Sequence, residues 1–267
     1  MDLLYRRRMM MYAEKTFTVG NGKQVSFAPG NLQYKASTNE WRFANRNWQI
    51  LGQNNTNISS TYDGYIDLFG YGTSYEPYLH TQTPSDYYAN DLTTTHDWGW
   101  ALSEFLGEGV TNRWRTLSYD EWYFLLYTRN VNFRFAKCTL MDGNGFQGLI
   151  VFPDDFDTDV IIPTLNDTNA QYSAFVINSE QEWSYDYEGK GCVFLPASGY
   201  RNGTSVLSVY ARGYYWTSSY NNNDSCASLL GIDTNAMILG SYMPAINFHA
   251  LGQNTYFGCA VRLVKNC

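Results

Sequence analysis

Apolar residues in this chain come in runs of only a few positions, and that brevity constrains the fold more than any other feature. Lys23–Phe27 alternates, placing Val25 and Phe27 on one face, as a half-buried strand requires. Gly148–Phe152 and Cys192–Leu195 are continuous apolar runs of the buried-strand type, and Cys259–Val264 reads as a closing strand. Loops dense in Asn, Thr, Ser and Gly separate them, notably Gly52–Ser60 and Tyr220–Ser225. Helical periodicity enters at two start signals. Ser118-x-x-Glu121 is a capping box that opens onto Trp122, Leu125 and Leu126. Ser179-x-x-Glu182 is a second box, with Trp183 and Tyr187 four residues apart on one face. A weaker helix is expected from Trp98 to Leu106, stopped near Gly107 and Gly109.

This pattern predicts an α+β fold. No repeat period and no Pro/Ser/Gly linker divides the chain, so residues 16–267 are expected to form one domain and 1–15 a tail or tether. A chain of 267 residues can build its own core without disulfide or metal staples. No run reaches the roughly 18 apolar residues of a membrane helix. The opening MDLLYRRRMMMYAEK lacks the apolar stretch of a signal peptide.

Composition narrows the function classes. Aromatic residues make up 17% and charged residues only 16%, the reverse of a disordered chain. A net charge of −7 argues against a nucleic-acid partner, which demands a basic stripe. Abundant Tyr, Asn, Ser and Gly match binding loops, where rigid rings give contact area at low entropic cost.

Chemistry-bearing motifs are sparse. The cysteines Cys138, Cys192, Cys226, Cys259 and Cys267 form no ligand spacing, and Cys138 and Cys192 read as buried thiols in strands. His80, His96 and His249 have no nucleophile signature beside them, and His96 in His96-Asp97-Trp98 reads as a loop residue rather than a general base. The run Asp154, Asp155, Asp157, Asp159 lacks the Gly and Glu of a calcium loop and reads as a solvated turn after Pro153, with calcium on some of these carboxylates as the alternative. Phosphate-binding glycine loops are absent from the sequence. No catalytic residue, cofactor or metal ligand is therefore expected.

Seven segments occur in an order that resembles one recurrent domain. They are VSFAPGNLQYKAS (Val25–Ser37), WRFA (Trp41–Ala44), YDGYIDLFGYGTS (Tyr62–Ser74), WRTLSYDEW (Trp114–Trp122), VFLPASGYRNGTSV (Val193–Val206), YYWTSS (Tyr214–Ser219) and GCAVRLV (Gly258–Val264). Together they resemble the C-type-lectin-fold domain of gut-bacterial surface proteins, across about residues 17–264. That family is related in fold to formylglycine-generating enzymes and to the variable proteins of diversity-generating retroelements. The resemblance implies two helices packed on a twisted, mainly antiparallel, loop-rich sheet, with ligands meeting the C-terminal part. The EPN, QPD and WND tripeptides of calcium-dependent lectins are not present, and no active-site cysteine pair maps onto Cys226 and Cys259.

Within the C-terminal segment, Ala227, Leu230, Ile232, Gly258, Val261, Arg262 and Leu263 fit framework positions of the family. Ser228, Leu229, Gly231, Asp233, Tyr256, Phe257 and Cys259 fit replaceable ones, with Asn222, Asn223, Asn247 and His249 at the rim. From Thr217 to Val264 there is no Lys, Glu or Trp, residues that adenine-directed mutagenesis of Asn codons never produces. Strand alternation turns Leu229, Gly231 and Asp233 outward when Leu230 and Ile232 face the core. Ser228 shares its parity with Leu230, and Cys259 with Val261 and Leu263, so both need a bend or bulge to face out. The expected function is non-enzymatic recognition of a protein or glycan ligand on a cell surface, by a domain displayed on a cell or phage virion. A diversified retroelement variable protein, a fixed envelope adhesin or structural protein, and thirdly a formylglycine-generating-type enzyme all remain open readings.

Overall fold

The alternation at Lys23–Phe27 becomes an interior strand, because Val25 and Phe27 bury fully while its outer neighbours supply the hydrogen bonds. The computed structural model describes residues 15–107, 113–141, 145–222, 226–233, 237–240 and 254–267. Its first sheet runs β1 (Phe17–Gly20), β2 (Lys23–Phe27), β16 (Leu263–Asn266), β6 (Arg115–Thr116), so the C-terminal strand closes against the N-terminal hairpin. A second sheet orders β4 (Glu40–Phe43), β3 (Leu32–Lys35), β5 (Tyr65–Ile66). A third orders β10 (Val193–Pro196), β8 (Phe146–Val151), β7 (Phe135–Leu140), β9 (Val176–Ile177), and only β7 with β9 is parallel. The hairpin β11 (Tyr200–Asn202) and β12 (Ser205–Leu207) precedes β13 (Arg212–Asn221), β14 (Cys226–Asp233) and β15 (Met237–Gly240), which form the last sheet.

The fold is therefore α+β, with several small, mainly antiparallel sheets among the described residues. Backbone bridges stitch them together where Cys259–Val264 was expected to be strand throughout. Gly258 pairs with Arg201, Cys259 with Phe69 and Ala260 with Tyr215, and regular pairing starts only at Leu263. Each of these three residues thus touches a different segment of the chain, which a single ladder could not achieve.

Among the described residues three short α-helices form. Trp98–Leu106 (α1), the weakest by its signals, is the longest; Asp97 caps it by accepting the Gly99 N–H, and Gly107 ends it in the left-handed conformation. Tyr119–Tyr123 (α2) carries the full capping box, Ser118 accepting from Glu121 N and Glu121 from Ser118 N. It continues as a π-helical turn over Phe124–Thr128, which keeps Leu125 and Leu126 buried beside Trp122. Glu180–Glu182 (α3) has half a box. Ser179 caps Glu182 N, but the Glu182 carboxylate turns to the backbone and side chain of Asn178. Its π turn Trp183–Tyr187 buries Trp183 and Tyr187, stacked 5.9 Å apart.

Arg262 sits where the layers meet, 1% exposed. Its guanidinium donates to Asn31 Oδ1, Ala28 O, Asn47 Oδ1, Asn47 O and Phe194 O. One cation thereby fastens the C-terminal strand to three distant segments. Among the described residues no helix is long and apolar enough to cross a membrane.

Candidate functional site

The C-terminal positions expected to face a ligand are mostly inside. Leu229, Tyr256, Phe257 and Cys259 belong to one core cluster with Tyr214, Trp216, Ala227, Val261 and Leu263. Leu230, Ile232 and Ala260 belong to another, so β14 is covered on both faces. The alternation of Leu229 with Leu230 holds; the assumption that one face meets water does not. Gly231 and Ser228 are buried too, the Ser228 carbonyl accepting the Thr217 hydroxyl at 3.0 Å. Cys259 follows its parity with Val261 into the core, and burial pushes its thiol pKa up. Asp233 is half-buried and pairs with Arg212 across β13 and β14 at 2.8 Å. Asn222 is exposed. Asn223, Asn247 and His249 lie outside the described residues.

The surface that does present aromatic rings surrounds the outer end of β13. Tyr71 donates its hydroxyl to the Ser218 and Asn90 carbonyls, Leu92 N donates to Ser218 O at 2.7 Å, and Tyr220 N donates to Asp91 at 2.7 Å. These bonds hold the 87–97 loop against the strand. On that loop His96 stacks on Tyr88 at 3.8 Å and meets Tyr75 edge-on at 6.0 Å. Tyr75 is 69% exposed. On the other flank Ser219 accepts the Tyr119 N–H, joining α2 to the same strand end. From there Tyr119, Tyr123 and Tyr127 run up α2 and its π turn at 6.3 and 5.2 Å spacings, flanking the buried Trp122, with Tyr123 exposed and Tyr127 packed against the same core. Their four-residue spacing was legible as a second stripe beside that of Trp122 and Leu126. The meeting of Tyr75, Tyr88 and His96 had no sequence signal, since loop packing alone creates it.

Beneath this face opens a cleft of about 600 Å³, lined among others by Lys23, Leu92, Asp97, Arg115, Glu121 and Ser218. Gly99 lets α1 approach β6 here, because a Cβ would collide with the Trp114 carbonyl. Asp97 is buried and accepts from Gly99 N, Thr116 N and the Thr116 hydroxyl. Burial raises its pKa, and those bonds only partly offset the shift. Arg115 grips Glu121 through two bonds of 2.7 and 2.9 Å. Burial alone would raise the Glu121 pKa, but Arg115, the Ser118 N–H and the charge of Lys23 reverse the shift and lower it.

Elsewhere the charged groups serve the scaffold. Asp154 accepts from Thr18 N and Arg129 through one oxygen and from the Thr18 hydroxyl and Gln24 through the other. The first carboxylate of the acidic run is thus a tie between β1 and the Arg129 cluster rather than a solvated turn residue. Among the described residues no group of three or more His, Cys, Asp or Glu side chains is placed to hold a metal ion. Cys138, Cys192 and Cys259 are buried free thiols, and Cys226 is buried as well. No family model matches the chain, and no curated protein or solved structure does either.

Proposed function

We propose that this chain is a non-catalytic recognition domain of C-type-lectin-like fold, displayed on a cell or phage surface and meeting a protein or glycan ligand there. The observation that carries the reading is the aromatic face around the end of β13, where Tyr75, Tyr88, His96, Tyr119 and Tyr123 surround a fixed backbone. Tyrosine offers large amphipathic contact area with few rotatable bonds, which suits an interface anchor. Burial of Leu229, Tyr256, Phe257 and Cys259 favours a fixed adhesin-like domain over a diversified one, since random polar replacements there would enter the core. An oxidising cysteine enzyme finds little support in Cys259, whose burial works against the reactive thiolate.

Labelled protein incubated with bacterial and epithelial cells tests the reading by flow cytometry. Tyr75→Ala and Tyr123→Ala, both at exposed positions, should abolish saturable binding while leaving the melting temperature unchanged. Saturable binding that survives both substitutions would remove this face from consideration.

A further inference from the structure

Asn-Gly pairs occur at 21–22, 144–145 and 202–203. Asn144 lies outside the described residues. The other two pairs stand at hairpin ends, where glycine accepts the positive φ that a tight turn asks for. Gly22 has φ +69° and Gly203 +57°. Their surroundings differ. Gly22 falls between Gly20 and Lys23, the last paired residues of β1 and β2, so the ladder does not hold its N–H. A Cβ built on Gly22 would meet no heavy atom within 4 Å beyond its chain neighbours. Asn21 is exposed, and among the described residues its side chain has no hydrogen-bond partner. Asn202 is half-buried instead, and its Oδ1 accepts the Gln82 amide at 2.6 Å. The Gln82 side chain also covers Gly203, 3.4 Å from where a Cβ would stand.

We propose that Asn21 is a site of spontaneous modification, converting to aspartate and isoaspartate in the folded protein, whereas Asn202 is protected. The Gly22 nitrogen attacks Asn21 Cγ, a new C–N bond forms, the Gly22 amide proton passes to solvent, and the side-chain nitrogen leaves as ammonia. Water then opens the resulting cyclic imide. Cleavage at Cγ gives aspartate, and cleavage at the main-chain carbonyl gives isoaspartate, which adds a methylene to the backbone. No oxidant or reductant is needed. Ring closure requires a side chain free to rotate onto an unhindered glycine nitrogen. Asn21 meets that condition, and Gln82 denies it to Asn202. The product places a new carboxylate two residues before Lys23, in the turn that joins β1 to β2. The site is separate from the tyrosine face, which draws no residue from this hairpin.

Full-length chain aged in mildly alkaline heavy-oxygen water, then digested and mapped by mass spectrometry, tests this residue by residue. Heavy oxygen should enter at position 21 first, and an isoaspartyl methyltransferase should label the same peptide. Asn202 should lag by several-fold, up to about tenfold, the factor that one hydrogen bond can impose. Gln82→Ala, at an exposed position, should speed conversion of Asn202 by that factor and leave Asn21 unchanged. In urea the two rates should converge, because the fold alone separates them. An intact Asn21, equal rates in the folded chain, an Asn202 rate unmoved by Gln82→Ala, or a difference that persists in urea would each overturn the proposal.

Discussion

At Arg262 five hydrogen bonds converge on one buried guanidinium, and the acceptors come from the chain's N-terminal third and from β10. Arg262→Met keeps much of the volume but leaves carbonyls of Ala28, Asn47 and Phe194 unpaired. It should lower stability by about 3–5 kcal/mol, read as a reduced urea midpoint at unchanged slope. Asp67 makes the opposite contribution. It is fully buried, and although it accepts from Leu51 N and Asn55, desolvation pushes its pKa up to about 6. A carboxyl whose folded pKa lies above its unfolded value of ~3.9 stabilises the fold while protonated, below that value. That contribution disappears as pH rises through about 6. At ~1.4 kcal/mol per unit, unfolding free energy should fall by about 2 kcal/mol between pH 4 and 7 through Asp67. Asp97, also raised by burial, acts in the same direction, and Glu121, lowered by Arg115 and Lys23, in the opposite one. Comparing Asp67→Asn with the parent across pH isolates the Asp67 share; parallel curves would assign the slope to other groups.

Individual elements owe their position to caps and close approaches more than to their length. α2 is five residues long, too short to persist alone. Its reciprocal capping box and the Arg115 grip on Glu121 hold it, so Ser118→Ala should cost about 1 kcal/mol. Ser179→Ala should cost less, because Glu182 has already turned to Asn178. Thermal unfolding of both variants, compared directly, tests that ranking. The capping boxes were legible because they are local: three residues decide each. The interruption of both helices by π turns was not, since it depends on Trp122 and Trp183 reaching cores built by distant strands.

The whole molecule explains why the expected binding face dissolved. The strand parity of Leu229 against Leu230 can be read from the sequence, yet parity says nothing about how many layers cover a strand. In β14 one face meets Tyr256, Phe257 and Trp216, while the other meets Leu195 and Tyr215. The same long-range closure brings β16 against β2 and makes the cleft at Lys23, which no local motif announces. A core of this extent, with the Asp154 carboxylate already tied to Thr18 and Arg129, should not depend on a bound ion. Melting with and without a chelator should give nearly the same midpoint; a large drop would place an essential cation in the fold.

The proposed division of labour makes the C-terminal segment scaffold and leaves recognition to the tyrosine-rich face. Its sharpest test is substitution tolerance across the chain, scored by protease resistance of a displayed library. Polar replacements at Leu229, Tyr256, Phe257 and Cys259 should be depleted as strongly as those at Trp122, with Tyr75, Tyr123 and Asn222 accepting nearly any residue. If Leu229, Tyr256 and Phe257 accept Asn, Ser or Asp as freely as Tyr75 does, the segment is a replaceable face and the division fails.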